Sequence, residues 1–178
     1  MRKIVAGLFI SLDGVVESPD KWHFPYLNDE MGEAVQAQMN AADAILLGRR
    51  TYEEFASYWP TAEGEMADQM NGIAKYVVSR TLTTADWQNT TLVDGDVEAR
   101  LKELKESDGK DVNIVGSATL TRTLLAAGLV DELGLLIHPV ALGSGARLFP
   151  EGSDKQVLDV VSTRALSTGV LHVVYRAA

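Results

Sequence analysis

The sequence predicts an α/β fold: one mixed sheet, parallel for most of its width, with helices on both faces and antiparallel strands along its C-terminal side. Three observations predict it. Up to Gly128, short β-rich apolar runs alternate with amphipathic stretches of helical period. After Gly128 that rhythm stops, and three further β-rich runs follow with no helical stretch between them. The composition, 178 residues with 46% apolar and 23% charged side chains, suits a single domain spanning 1–178 with a full core.

The elements follow in order. Arg2 to Ile10 is nearly all apolar and reads as a central strand. Ser11 to Trp22 carries Asp-Gly and Ser-Pro-Asp and reads as a long loop. Asn28 to Ala41 reads as a helix: Asn28 caps it, Asp29 and Glu30 suit the positive end of its dipole, and Met31, Val35 and Met39 share one face. Ala44 to Leu47 is a buried strand ending at Gly48. Thr51 to Tyr58 reads as a helix opened by a Thr51–Glu54 capping box and stopped by Trp59-Pro60. A short helix within 63–72 precedes strands at Lys75–Ser79 and Thr90–Val93. Asp96 to Ser107 is amphipathic, with Val97, Leu101 and Leu104 together. Val112–Val115 is a strand ending at Gly116, and Ser117–Ala127 is a helix closed by Gly128. Glu132–Leu142, Val157–Leu166 and Val170–Arg176 are strands, the last two joined by a turn at Thr168-Gly169.

Composition excludes several functions. The formal charge is −9, and there is no basic stripe, so nucleic acid is a poor partner. With no cysteine, thiol catalysis, thiolate metal sites and disulfides are excluded together. His23, His138 and His172 lack metal-ligand spacing, and no metal is expected. The apolar run after Met1-Arg2-Lys3 is short, is broken by Asp13 and lacks a cleavage site, so it reads as a strand rather than a signal peptide. With no membrane-length apolar stretch either, a cytoplasmic protein is expected.

Ligands in open α/β sheets bind beyond the carboxyl ends of the strands. Three such ends are furnished for anions. Gly48-Arg49-Arg50-Thr51 joins a strand to a helix N-terminus and adds guanidinium forks. Ser79-Arg80-Thr81 offers a hydroxyl beside a guanidinium. Gly116-Ser117-Ala118-Thr119 is again strand to helix, with residues small enough for backbone amides to reach a ligand. Each alone also suits an ordinary turn. Their coincidence on one rim of an acidic protein points to an extended phosphorylated ligand such as a dinucleotide. G-x-G-x-x-G after the first strand, the P-loop and the G-x-S-x-G elbow are all missing, which disfavours Rossmann dehydrogenases, P-loop NTPases and serine hydrolases.

These segments resemble a known family. AILLGRRTYEEF, YVVSRTL and VNIVGSATLTRTLLAAGLVDELGLLIHPVALGSGARLF occur in the order seen in dihydrofolate reductases. The ISLDG opening and the P-V-x-L-G-x-G run are more similar to the reductase domain of bacterial riboflavin biosynthesis, the RibD C-terminal branch. The resemblance covers nearly the whole chain and implies a dihydrofolate reductase-like fold using NADPH. It places the cofactor phosphates at Gly48, Arg49, Arg50 and Thr51, and the adenosine 2′-phosphate at Ser79 and Arg80. It places the pyrophosphate and nicotinamide side at Gly116, Ser117, Ala118 and Thr119.

The substrate would lie against the first strand, its following loop and the Asn28 helix. The implied activity is hydride transfer to a small heterocyclic or aminosugar substrate, as in 5-amino-6-(5-phosphoribosylamino)uracil reductase. Asp13 is a candidate for substrate contact. Asp29, Glu30 and Glu33 are candidate helix acids, with Asp29 and Glu30 equally suited to the helix dipole. Trp22, His23 and Phe24 are a candidate lid, and His138 reads as structural. The chain departs from the family at Gly116-Ser117, where dihydrofolate reductases carry Gly-Gly, and at Val15, where riboflavin reductases often carry Lys. It lacks the zinc deaminase domain of the bifunctional enzymes. The resemblance also implies a homodimer. A true dihydrofolate reductase and a non-catalytic nucleotide- or pterin-binding module are the alternative readings.

Overall fold

A computed structural model describes residues 1–178. Eight strands form one sheet: β1 (Ile4–Ser11), β2 (Ala42–Gly48), β3 (Ala74–Val78), β4 (Thr90–Val93), β5 (Asp111–Val115), β6 (Glu132–His138), β7 (Leu158–Ala165) and β8 (Leu171–Ala177). Their order is β4-β3-β2-β5-β1-β6-β8-β7. Neighbours from β4 to β6 run parallel, and β8 is antiparallel to both β6 and β7. This is the mixed sheet expected from the change of rhythm at Gly128.

Five helices cover it: α1 (Asp29–Ala41), α2 (Arg49–Tyr58), α3 (Glu65–Gly72), α4 (Val97–Glu106) and α5 (Ala118–Ala126). Strand side chains alternate between two cores. On one face Ile4, Ala6, Leu46, Val112, Ile114 and Leu133 meet Leu101 of α4 and Leu120 and Leu124 of α5. On the other, Ile45, Leu47 and Val77 meet Tyr52 of α2 and Met70 of α3, while Met31 of α1 packs with Leu136, Leu166 and Val170. Every expected element forms, with ends shifted by a residue or two. The exception is β6, which ends at His138 rather than Leu142 because Pro139 carries no N–H for the ladder.

A second correction concerns α2. The helix begins at Arg49 with Gly48 as its cap, so Thr51 lies inside the first turn and the Thr51–Glu54 capping box does not form. No side chain caps this N-terminus. By contrast, Asn28 caps α1 by accepting from Met31 N, and Ser117 caps α5 by accepting from Leu120 N.

Two buried cations anchor the scaffold. Arg2 donates to Lys110 O (2.7 Å) and pairs with Asp43, which fixes the start of β1 beside the turn before β5. Lys75 on β3 has no exposed surface. Its ammonium donates to the carbonyls of Met70 (2.8 Å), Asn71 (3.2 Å) and Ile73 (2.7 Å), and lies 4.3 Å from the centre of the Trp87 ring. It thereby serves carbonyls at the C-terminus of α3 that the helix itself leaves without partners. No helix is long and apolar enough to cross a membrane.

Candidate functional site: a crevice between β1 and β5

The connection leaving β1 runs through α1 toward the β4 edge, and the one leaving β5 runs through α5 the opposite way to β6. The two helices therefore fall on opposite faces, and a crevice opens between the carboxyl ends of β1 and β5. The register shows where it starts. β1 pairs with β5 only as far as Gly7–Val115, yet continues with β6 to Ser11–His138. Leu8 to Ser11 thus have no strand partner on the β5 side.

Two of the three expected turns converge at this rim. A side chain at Gly48 would meet Ser117 Oγ at 2.5 Å, and one at Gly116 would meet Thr51 Cγ2 and Oγ1 at 2.9 Å. Gly116 also holds φ +71°. The turn after β2 and the turn after β5 therefore touch through glycine, beside the uncapped amides of α2, which carry the helix's partial positive charge. Of the arginines, Arg49 pairs with Glu53 (3.0 Å), while Arg50 is exposed and forms no ion pair. Ala118 and Thr119 open α5, and Thr119 Oγ1 accepts from Arg122 (3.4 Å).

The third turn lies two strands away from β5, after β3. Ser79 is buried there, and its hydroxyl accepts from the amides of Thr81 (3.1 Å) and Leu82 (3.0 Å). Its lone pairs thus close the turn, and the side chain left outward is the exposed Arg80.

The candidate acids fare differently. Asp13 accepts from Ser11 Oγ (2.6 Å), Leu142 N (3.0 Å) and Gly143 N (2.7 Å), with Arg147 at 3.7 Å. The Ser11 hydroxyl and the two backbone amides hold its carboxyl far below the ordinary range of 3.8. It joins the loop after β1 to the loop after β6 and stays ionised. Glu30 accepts from Ser167 N (2.8 Å), which lowers its pKa too and ties α1 to the β7–β8 turn. Asp29 and Glu33 are exposed on α1 and form no ion pair.

Because the Asp13 pKa is lowered on folding, its contribution to stability is present above pH 3.8 and is lost as pH falls through the folded value. Asp13→Asn is expected to flatten the acid limb of a Tm-versus-pH series relative to wild type. Parallel curves would show that Asp13 does not tie the two loops.

The fold gathers His138 and the Trp22–Phe24 segment at the ends of β1 and β6. His138 ends β6 with no exposed surface, and its Nδ1 lies 2.8 Å from Leu136 O. A carbonyl can only accept, so Nδ1 carries the proton, and Nε2 is buried without a hydrogen-bond partner. Burial lowers the pKa of both His138 and His23. Phe9 stacks on His23 at 4.6 Å, and Trp22, Tyr26 and Phe9 stand edge-on to the His138 ring at 5.1, 5.4 and 5.8 Å. Trp22 and His23, expected to cover the pocket, pack instead on Phe9 and His138 at the ends of β1 and β6.

Beneath α1 lies a cavity. Its upper chamber, about 150 Å³, runs between Phe9, Val35, Val115 and Leu136. Its lower chamber, about 470 Å³, continues past Asn113 and His172 toward Asp111 and Glu132.

Comparison with known proteins agrees with this architecture. The family model for the RibD C-terminal domain matches residues 2–172. The chain belongs to the RibD C-terminal domain family. Its relatives include the Bacillus subtilis (strain 168) protein YyaP, itself uncharacterized, at 34% identity over 98% of this chain and 94% of YyaP. Among solved structures, a provisionally named riboflavin biosynthesis protein from Shewanella sp. PV-4 superposes with TM-score 0.80 at 20% identity over 99% of both chains. A Thermotoga maritima diaminohydroxyphosphoribosylaminopyrimidine deaminase/5-amino-6-(5-phosphoribosylamino)uracil reductase gives 0.71 at 17% identity, over 99% of this chain and 57% of that one. Dihydrofolate reductase from Enterococcus faecalis, complexed with NADP(H), gives 0.64 at 18% identity over 98% and 96%. The RibD C-terminal fold is thus the dihydrofolate reductase-like fold, and the expected family and fold both hold.

Proposed function

We propose that this RibD C-terminal domain protein is an NADPH-dependent reductase acting on a small heterocyclic substrate. One observation carries the reading: the Gly48 and Gly116 turns interlock at the switch-point crevice, beside a helix N-terminus that no side chain caps. The residues present fit a diphosphate. Gly48, Arg50 and the first amides of α2, including that of Thr51, would hold phosphate oxygens, with Arg49 shared with Glu53. Gly116, Ser117, Ala118 and Thr119 would line the pyrophosphate and nicotinamide side. Arg80 would take the adenosine 2′-phosphate, with Ser79 positioning it by closing its turn. When bound, NADPH supplies a hydride.

The protein's own part is alignment and proton control. Phe9, Val35, Val115 and Leu136 form apolar walls beside the crevice, where a substrate ring is held with water reduced around it. Asp13 and Glu30 are held ionised and do not donate the proton at neutral pH. Asp29 or Glu33 on α1, or water admitted at the crevice, is left as the source.

Fluorescence titration tests the reading. NADPH is expected to bind saturably and NADH more weakly. Arg80→Ala should weaken NADPH about tenfold or more while leaving NADH unchanged, the loss of one charge-assisted phosphate contact. Absence of a saturable NADPH signal would overturn the reading.

A further inference from the structure

β3 and β4 are parallel neighbours, so the chain between them must return from the carboxyl end of one to the amino end of the other. Such a crossover is usually a helix. Here residues 79–89 make it without one. A crossover of this kind has no regular ladder of its own, so side chains of neighbouring elements must serve its backbone groups and hold it in place. Its placement matters because Arg80 stands at its start. Arg80 is exposed and forms no ion pair, so only the backbone that carries it sets its position.

The Ser79 hydroxyl closes one end of the crossover. Trp87, 5% exposed, anchors the other. Its backbone amide donates to Tyr52 Oη at 3.1 Å, and its indole Nε1 donates to Asn71 Oδ1 at 2.7 Å. The Lys75 ammonium sits over the face of the ring. Asn71 is fixed in turn: its Nδ2 donates to Trp59 O (2.8 Å), and its carbonyl accepts from Lys75 and from Gln88 Nε2 (2.9 Å). Between the two ends, Leu82 and Ala85 pack on the core that contains Tyr52 and Trp87.

Tyr52 is the fourth residue of α2, in the turn whose amides open at the rim. Its phenol is buried, and its hydroxyl reaches a backbone amide 35 residues away. One hydrogen bond thus joins the helix that starts beside Gly48 to the crossover that starts beside Arg80.

We propose that Tyr52 and Trp87 are positioning residues for Arg80: their bond holds the crossover against α2, so that the α2 amides and Arg80 grip the diphosphate and the 2′-phosphate of one ligand together. Both side chains are buried and act through the backbone. The 2′-phosphate assignment rests on the reductase reading; the tie between α2 and the crossover does not.

The test is a double-mutant cycle on the full chain, with NADPH and NADH affinities measured by isothermal titration. Tyr52→Phe keeps the ring and removes only the acceptor. It is expected to weaken NADPH about three- to tenfold, the loss of one hydrogen bond, and to leave NADH unchanged. In an Arg80→Ala background the same change should cost nothing further, because the group it positions is gone. Should Tyr52→Phe fail to fold, Trp87→Phe serves in its place: it fills most of the space, loses the Asn71 bond and should lower the preference for NADPH in the same direction. A merely structural role would weaken both cofactors alike or add its full cost to Arg80→Ala, and either result would overturn the proposal. Amide hydrogen exchange without cofactor reads the tie itself. Exchange at Trp87 should be faster in Tyr52→Phe, and an unchanged rate would also overturn the proposal. A wild type that bound no NADPH would instead overturn the reductase reading, while the exchange result would still report on the tie.

Discussion

Gly116→Ala is expected to weaken NADPH binding by on the order of a hundredfold and to lower Tm by about 4–8 °C. Two costs combine. At φ +71° an L-residue pays the left-handed penalty of about 1–2 kcal/mol, and the new methyl presses on Thr51 at 2.9 Å. Thr51 lies in the first turn of α2, so the uncapped amides shift away from the rim. Gly48→Ala separates the effects. Gly48 has an ordinary φ of −80°, so alanine adds no backbone strain there, but its Cβ would sit 2.5 Å from Ser117 Oγ. It should lose comparable affinity with a smaller fall in Tm. If isothermal titration gave wild-type affinity for both variants, the interlocked turns would have no part in holding the cofactor.

Lys75→Met should be the most damaging change far from the crevice, at about 2–4 kcal/mol, or a Tm lower by about 4–16 °C. The methionine can occupy the space but gives the carbonyls of Met70, Asn71 and Ile73 no donor, and it removes the charge from the Trp87 face. The pH dependence has a definite sign. Burial pushes the Lys75 pKa down to about 8 from 10.5. Between those values the unfolded chain keeps a proton that the folded chain has shed, so wild-type stability rises with pH across the window relative to the variant. Chemical denaturation at neutral pH and near pH 10 measures both effects. A gap that narrowed with pH would contradict the burial argument.

Much of this was legible in the sequence because periodicity and punctuation report local structure. Asn28 is placed as a cap by residue chemistry and caps as expected, while Asp96, placed only as the start of an amphipathic run, also caps its helix. Thr51 misled because Thr-x-x-Glu matches a capping box wherever it falls, whereas Gly48 ends β2 at the position that starts α2. Strand order could not be read from the chain, yet it alone puts β5 beside β1 and so creates the crevice. Asp13 is a candidate for substrate contact on sequence grounds, and its structural partners are out of reach of a local reading. Its partners, Leu142 and Gly143, are far along the chain. The burial of His138 and the reach of Tyr52 to Trp87 are likewise tertiary facts. The one local hint of the cavity was Gly7 and Gly134, which line it, inside otherwise β-prone runs, where glycine marks a close approach or an open space.

The bond from Ser167 N to Glu30, with Asn28 Nδ2 donating to Ser167 Oγ at 3.0 Å, joins the start of α1 to the tip of the distant hairpin. The helix over the chamber is therefore moored at its N-terminus to a turn from the far end of the chain. A change at Ser167, remote in sequence from every crevice residue, would therefore remove a mooring of the helix that covers the chamber.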